Sequence, residues 1–142
     1  MFGREGVDIA TYWGDGAAVG KLPSYVKAAF QLYRNYDGKG GTFGDTAVEA
    51  TLGDPAKASA FAATDGKRGG ALTVIIINKD QHASYDGRIK IAGGAACPSA
   101  RVFVLAAPGG TIKSLPPIPV SGGVIHHRLS PLSATLFVCD GG

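Results

Sequence analysis

The sequence has 142 residues, 45% of them hydrophobic and 18% charged, which suits one folded core and excludes a disordered chain. Its net charge is only +3, and the 14 Lys and Arg residues are scattered, so we expect no nucleic-acid partner. No apolar run approaches the roughly 18 residues of a membrane span, so we expect no membrane partner.

The first 22 residues contain two pairs of chemically interesting side chains but no basic and apolar start typical of a signal peptide. Glu5 and Asp8 are three residues apart, a spacing that points to opposite faces of a strand, so they make a poor acid/base pair. Tyr12 and Trp13 lie in a glycine-flanked segment. Flat aromatic rings suit sugar faces, and partial burial is the alternative role.

A single amphipathic helix is predicted from Pro23 to Tyr36. Proline suits a first helical turn, where its missing N–H costs nothing, and Asp37-Gly38 supplies a stop. The spacing predicts one buried apolar face, made of Val26, Ala29, Phe30 and Tyr33.

After Gly41 the hydrophobic period changes to two, which is typical of strands. The segment "DTAVEATL" alternates, "ALTVIIINK" has the length of a buried strand, and "GRIKIAG" places Ile89 inward with Arg88 and Lys90 outward. About eight short strands separated by turns predict a mainly β protein: an antiparallel β-sandwich preceded by one α-helix.

No constellation of side chains in this sequence predicts chemistry. His126 and His127 are adjacent on a predicted strand, so their side chains diverge, and His82 stands alone in a loop. We therefore expect no metal and no cofactor. Cys97 and Cys139 can form one disulfide or remain two small buried hydrophobes.

The polar, glycine-rich corner from Tyr33 to Ala50 is the most specific-looking stretch of the chain. Together with "FGREGVDIATYW", "AFAATDGKRGGALTVIIINK" and "LSPLSATLFV", it resembles the C-terminal part of glycoside hydrolase family 44. These are bacterial endo-β-1,4-glucanases (cellulases), several of them active on xyloglucan, so the resemblance implies plant polysaccharide degradation.

The resemblance implies a (β/α)8 barrel followed by a β-sandwich. Residues 1–38 then correspond to the last barrel strand, its loop and the closing helix, and residues 39–142 to the sandwich. The family's two catalytic glutamates lie at the ends of earlier barrel strands, which this chain lacks, so no residue receives a catalytic role. Tyr12 and Trp13 are the only residues that the resemblance places near substrate. It also implies an extracellular enzyme.

Three hypotheses for the function follow. The first is a catalytically inactive piece of a family 44 endoglucanase or xyloglucanase. The second is a carbohydrate-binding sandwich whose affinity for β-glucan is weak or absent, and the third is a structural domain that supports a barrel. In each case the helix face, or a sheet edge that the family covers with a strand from the start of the complete chain, predicts self-association.

Overall fold

The structure, a computed structural model, describes residues 24–93 and 97–140. Within these ranges the chain forms one helix and eight strands, with a short 3₁₀ turn at Gly66–Arg68 between the second and third strands. The elements are α1 (Ser24–Arg34), β1 (Thr46–Val48), β2 (Ala58–Asp65), β3 (Ala71–Asn78), β4 (Tyr85–Lys90), β5 (Ser99–Leu105), β6 (Ile112–Pro119), β7 (Val124–Leu129) and β8 (Ser133–Cys139).

The strands form two antiparallel sheets. Six strands follow the order β1-β2-β3-β8-β5-β6, and β4 pairs with β7 in a second, two-stranded sheet. The chain passes from the large sheet to the small one after β3 and again after β6. The predicted fold class, an antiparallel sandwich of about eight strands after one helix, is confirmed.

The central strand β3 is a nearly continuous apolar run because both of its faces are covered. Leu72, Val74 and Ile76 belong to the core between the two sheets, whereas Ile75 belongs to a core on the opposite face. Strand β4 lies at the surface and alternates as expected, with Ile89 half-buried and its neighbours Arg88 and Lys90 exposed.

The core between the sheets is closed at one end by a disulfide. Cys97 and Cys139 are bonded, with their sulfur atoms 1.98 Å apart, and both belong to this apolar cluster. Phe137 on β8 and Ile125 on β7 fill its centre and are almost completely buried. The bond therefore ties the segment before β5 to the end of β8.

Helix α1 packs on the outer face of the six-stranded sheet and forms a second core. Its buried residues are Ala28 and Leu32, followed by Tyr36 just beyond the helix, four residues apart, and they contact the face that carries Ile75 and Phe103. Residues 24–93 and 97–140 thus form three layers: helix, large sheet and small sheet.

The predicted buried face of the helix is wrong. Ala29 and Phe30 are exposed, and Val26 and Tyr33 are only partly buried. The reason is that α1 is apolar on two sides, so the i, i+3, i+4 pattern fits a second stripe besides the one that contacts the sheet.

Both edges of the large sheet depart from simple strand patterns. Strand β1 ends at Val48, and its three side chains are exposed, so the longer alternating strand expected over residues 46–51 is not formed. At the other edge, β6 contains Pro116, Pro117 and Pro119, and its register with β5 shifts opposite Arg101. Proline lacks an N–H and is tolerated on such an outer strand.

Candidate functional site

The sugar-stacking candidates Tyr12 and Trp13 lie outside the described residues, as do Glu5 and Asp8. Their roles stay predictions. The structure therefore bears on function only through residues 24–93 and 97–140, which include the corner, the cysteines and all three histidines.

The described carboxyl groups are poor candidates for a general acid, which needs a raised pKa. A hydrogen bond from the Tyr85 hydroxyl, 2.6 Å from Asp80 Oδ2, lowers the pKa of Asp80 to about 2. Hydrogen bonds from arginines lower the pKa of Asp65 and of Asp140. Such groups stay ionised at neutral pH and cannot donate a proton to a leaving group.

The histidines do not converge, and no group of three metal-binding side chains occurs in the part of the chain that the structure describes. His126 is exposed, whereas the neighbouring His127 is half-buried with its ring edge-on to Phe137 at 5.5 Å. Burial lowers the pKa of His127. This divergence agrees with the strand geometry expected from sequence.

The corner after α1 is a self-contained network of backbone hydrogen bonds. Asp37 Oδ1 accepts the amides of Lys39 at 2.8 Å and Gly41 at 2.9 Å, and Asn35 Oδ1 accepts the amide of Gly40 at 2.7 Å. A Cβ on Gly41 would lie 2.7 Å from the ring of Tyr36, so only glycine fits there. The polar residues of this corner hold its own shape.

Arg68 joins this corner to the sandwich. Its Nε donates to Asp65 Oδ2 at 2.6 Å, one terminal nitrogen donates to the Tyr36 hydroxyl at 2.8 Å, and the other donates to the Thr42 carbonyl at 2.5 Å. A planar guanidinium with five donors is suited to three such acceptors at once. The β2–β3 turn is therefore clamped to the end of the helix.

A second arginine, Arg101, lies over the rings of Tyr36 and Phe103. Arg101 makes two hydrogen bonds to Asp140, at 2.8 and 2.6 Å, and its guanidinium stands 5.8 Å from the ring centre of Tyr36 and 5.9 Å from that of Phe103. The hydrogen bonds that Arg101 donates to Asp140 raise the pKa of Arg101, which stays charged. Ion pairing and cation–π contact together fix Tyr36 on the sheet.

Sequence reasoning missed both arginines. Arg68 had a local signal, an aspartate three residues earlier in the turn "TDGKRGG", which matches the observed ion pair. One partner of Arg101, Asp140, lies 39 residues away and the other, Tyr36, lies further still, so no local pattern could have found them.

The side of α1 that carries its second apolar stripe, which we call the outer helix face, comprises Val26, Ala29, Phe30 and Tyr33. Phe30 is 51% exposed. Tyr33 contacts the ring of Phe43 at 5.2 Å, and burial raises its pKa. A large exposed aromatic group on a firmly anchored helix indicates a surface that a further protein layer can cover.

Taken together, the described residues form a junction between a helix and a sheet. The helix, the corner and the sheet are joined through Tyr36, Asp37, Arg68 and Arg101. No helix of the described part is long and apolar enough to cross a membrane. The arrangement can position two layers of protein.

Comparison with known proteins shows which enzymes contain a similar region. No protein-family model matches the chain. Endoglucanase A of Paenibacillus lautus is 30% identical over 135 residues, which is 94% of this chain and 19% of that protein. The β-mannanase/endoglucanase A of Caldicellulosiruptor saccharolyticus is 32% identical over 103 residues, 72% of this chain and 7% of that protein.

Among solved structures, a Paenibacillus polymyxa xyloglucanase from glycoside hydrolase family 44 superposes with a TM-score of 0.89 and 32% sequence identity. The match covers 99% of this chain and 27% of that enzyme. The resemblance to the C-terminal domain of family 44 endoglucanases and xyloglucanases is thus confirmed, and the chain spans about a quarter or less of the length of these relatives.

Proposed function

We propose that this chain is the sandwich region of a bacterial endo-β-1,4-glucanase that degrades plant polysaccharide such as xyloglucan. Its match to the C-terminal part of family 44 glycoside hydrolases, which covers 99% of the chain, supports this proposal. The observation that carries the proposal is the two-sided helix. One side of α1 is anchored on the sandwich through Leu32, and the other side presents Phe30 to a further layer.

The domain organisation follows from this helix. We propose that residues 1–38 derive from the end of a barrel and residues 39–142 form the sandwich, with α1 shared between them. The helix contributes Ala28 and Leu32 to the sandwich core and keeps the outer helix face for the barrel. The corner at residues 37–41, held by Asp37, then fixes the angle between the two domains.

We propose that the chain is catalytically inactive alone. The sequence contains two glutamates, Glu5 and Glu49, and retaining glycosidases need a pair of carboxyl groups only about 5–5.5 Å apart. Glu49 lies exposed in the loop after β1. The described aspartates with shifted pKa values are all lowered, which supports ionised structural roles.

We propose that the source protein is secreted. A disulfide between Cys97 and Cys139 supports this compartment, because such bonds persist in oxidising environments and are rare in the cytosol. The same location would give the enzyme access to its polymeric substrate. For this chain alone we expect weak or no binding of β-glucan through Tyr12 and Trp13, and self-association through the outer helix face or a sheet edge.

A stand-alone carbohydrate-binding or structural accessory domain is the alternative. It predicts retardation of the chain in affinity electrophoresis with xyloglucan, lost in Trp13→Ala. The main proposal predicts that Trp13→Ala leaves any retardation unchanged.

A chimera gives the direct test. The C-terminal region of the Paenibacillus polymyxa xyloglucanase is replaced by this chain from Ser24 onward, and reducing sugar released from xyloglucan is measured. We expect activity from the chimera and none from this chain alone. Phe30→Asp on the outer helix face should lower the thermal stability of the chimera, whereas Asp86→Asn on the exposed sheet should not.

Turnover of xyloglucan by the chain alone would contradict the inactivity proposed for it. A chimera that folds cooperatively but is insensitive to Phe30→Asp would contradict the role given to the outer helix face.

A further inference from the structure

A groove of about 520 Å³ lies between α1 and the edge strand β6. It is distinct from Tyr12 and Trp13 in sequence and from the outer helix face. One wall is a row of side chains at and just beyond the helix, the other is the start of β6, and the floor is formed by two aromatic residues that are almost completely buried. The residues that matter here are Lys27, Gln31 and Asn35 on the helix, Thr111 and Ser114 on the opposite wall, and Tyr36 and Phe103 below.

Both walls are held in place without a ligand. Leu32 anchors the helix on the sheet, and the amide of Gly109 donates to the Tyr25 hydroxyl at 3.0 Å. The β5–β6 loop packs so closely that a Cβ on Gly110 would lie 2.6 Å from Ser24 Oγ. Because the groove is already formed, a ligand does not have to order its walls, and less binding free energy is lost on association.

The helix wall presents donors and acceptors in a regular row. Lys27, Gln31 and Asn35 are four residues apart, so they follow one stripe of the helix over about 12 Å. Asn35 uses its Oδ1 for the Gly40 amide, which leaves the amide nitrogen for another partner. Across the groove, the hydroxyl-bearing residues Thr111 and Ser114 are exposed.

The charge balance of the groove favours a neutral ligand. Lys27 is its one cation and Asp37 its one anion, and Asp37 Oδ1 already accepts two backbone amides. Anionic ligands such as phosphates are bound by several cations or by bidentate arginine, and neither lines this groove. Amide and hydroxyl groups on both walls suit a neutral ligand with many hydroxyl groups.

We propose that this groove binds a short neutral segment of β-linked glucan, as a second polysaccharide contact separate from Tyr12 and Trp13. The identity of the sugar rests on the proposed function, while the groove itself does not. Such a contact would hold a polymer near the enzyme between cleavage events and raise its effective concentration.

Titration of the ¹⁵N-labelled full chain with cellotetraose and with xyloglucan heptasaccharide tests the proposal by NMR. We expect saturable shifts of the side-chain amides of Gln31 and Asn35 and of the backbone amide of Ser114. Gln31→Ala should weaken binding about fivefold, the loss of one hydrogen bond. Gln81→Ala is the matched control, because Gln81 lies exposed on the β3–β4 loop. This variant should bind both oligosaccharides as tightly as the unchanged chain does.

A filling variant gives a second measurement. Ser114→Arg places a long side chain in the groove and should abolish the shifts while leaving the melting temperature within about 2 °C. If that variant does not fold, Lys27→Ala combined with Gln31→Ala replaces it, because both are surface positions, and binding should fall at least about tenfold.

Shifts confined to Tyr12 and Trp13, or no shift at all, would overturn the groove as a site. Equal shifts with maltotetraose would overturn its assignment to β-linked glucan. An inactive chimera together with saturable shifts in the groove would instead count against the glucanase proposal alone, so the two failures are distinguishable.

Discussion

Substituting alanine for Leu32 or for Phe30 distinguishes the observed packing of α1 from the packing that its sequence pattern predicts. Leu32 is 1% exposed within the core formed with Ile75 and Leu136, whereas Phe30 is 51% exposed. A buried leucine shortened to alanine costs about 3 kcal/mol, through lost transfer free energy and the cavity left behind. An exposed position typically changes stability by less than about 0.5 kcal/mol.

These free energies convert to melting temperatures through the size of the chain. For 142 residues the unfolding entropy is about 0.3 kcal/mol per degree, so 1 kcal/mol corresponds to about 3 °C. We expect Leu32→Ala to lower the melting temperature by about 10 °C and Phe30→Ala by less than about 2 °C. Circular dichroism melts, with urea unfolding as a check on two-state behaviour, would measure both.

The reverse ranking would refute the packing described here. A large loss for Phe30→Ala in the chain alone would mean that the outer helix face is already covered, by another segment or by a second copy. In that case the loss should depend on protein concentration for a second copy and not for a segment.

Three further predictions concern the junction and the ends of the sandwich. Reduction of the Cys97–Cys139 bond, which spans 42 residues, should cost about 4 kcal/mol and lower the melting temperature by about 13 °C; the doubly substituted Cys97→Ala/Cys139→Ala chain should no longer respond to reductant, and a response there would contradict the assignment. Arg68→Met should lower the melting temperature by about 5 °C, because three hydrogen bonds at the corner are lost. Arg128→Met is the matched control, because the ion pair of Arg128 with Asp86 is largely exposed. An equal loss of melting temperature in the two variants would contradict the role given to Arg68. The pKa of Asp80 is lowered from 3.8 to about 2 in the folded chain, so its carboxylate contributes stability above pH 3.8 and loses that contribution as the pH falls toward 2. Tyr85→Phe should raise the pKa of Asp80 in an NMR titration of the carboxyl carbon, and an unchanged value would show that the Tyr85 hydroxyl is not the cause.

The strands could be predicted from sequence because their pattern is local. A run such as Leu72 to Ile77 predicts a strand covered on both faces, and the alternation around Ile89 predicts one exposed face. Phe103 and Phe137 lie in strongly apolar strand segments and are buried, whereas Phe61 in β2, nearer the edge of the sheet, is only half-buried.

The buried side of the helix could not be predicted in the same way. Periodicity shows that a stripe is apolar but not which layer covers it, and α1 carries two stripes. Leu32 contacts a sheet whose residues come from β3, β5 and β8, far along the chain. Likewise Arg101 depends on Asp140, and only the folded topology of β5 beside β8 brings them together.

The three prolines of β6 set the direction in which this protein can associate. An outermost strand normally offers a row of amide donors to any other chain, but Pro116, Pro117 and Pro119 supply none. At the opposite edge, β1 covers β2 only from Ala62 to Thr64. Strand-to-strand assembly is therefore hindered along the proline-bearing half of β6, and among the residues that the structure describes the start of β2 is the edge from which a fibril or swapped dimer would grow.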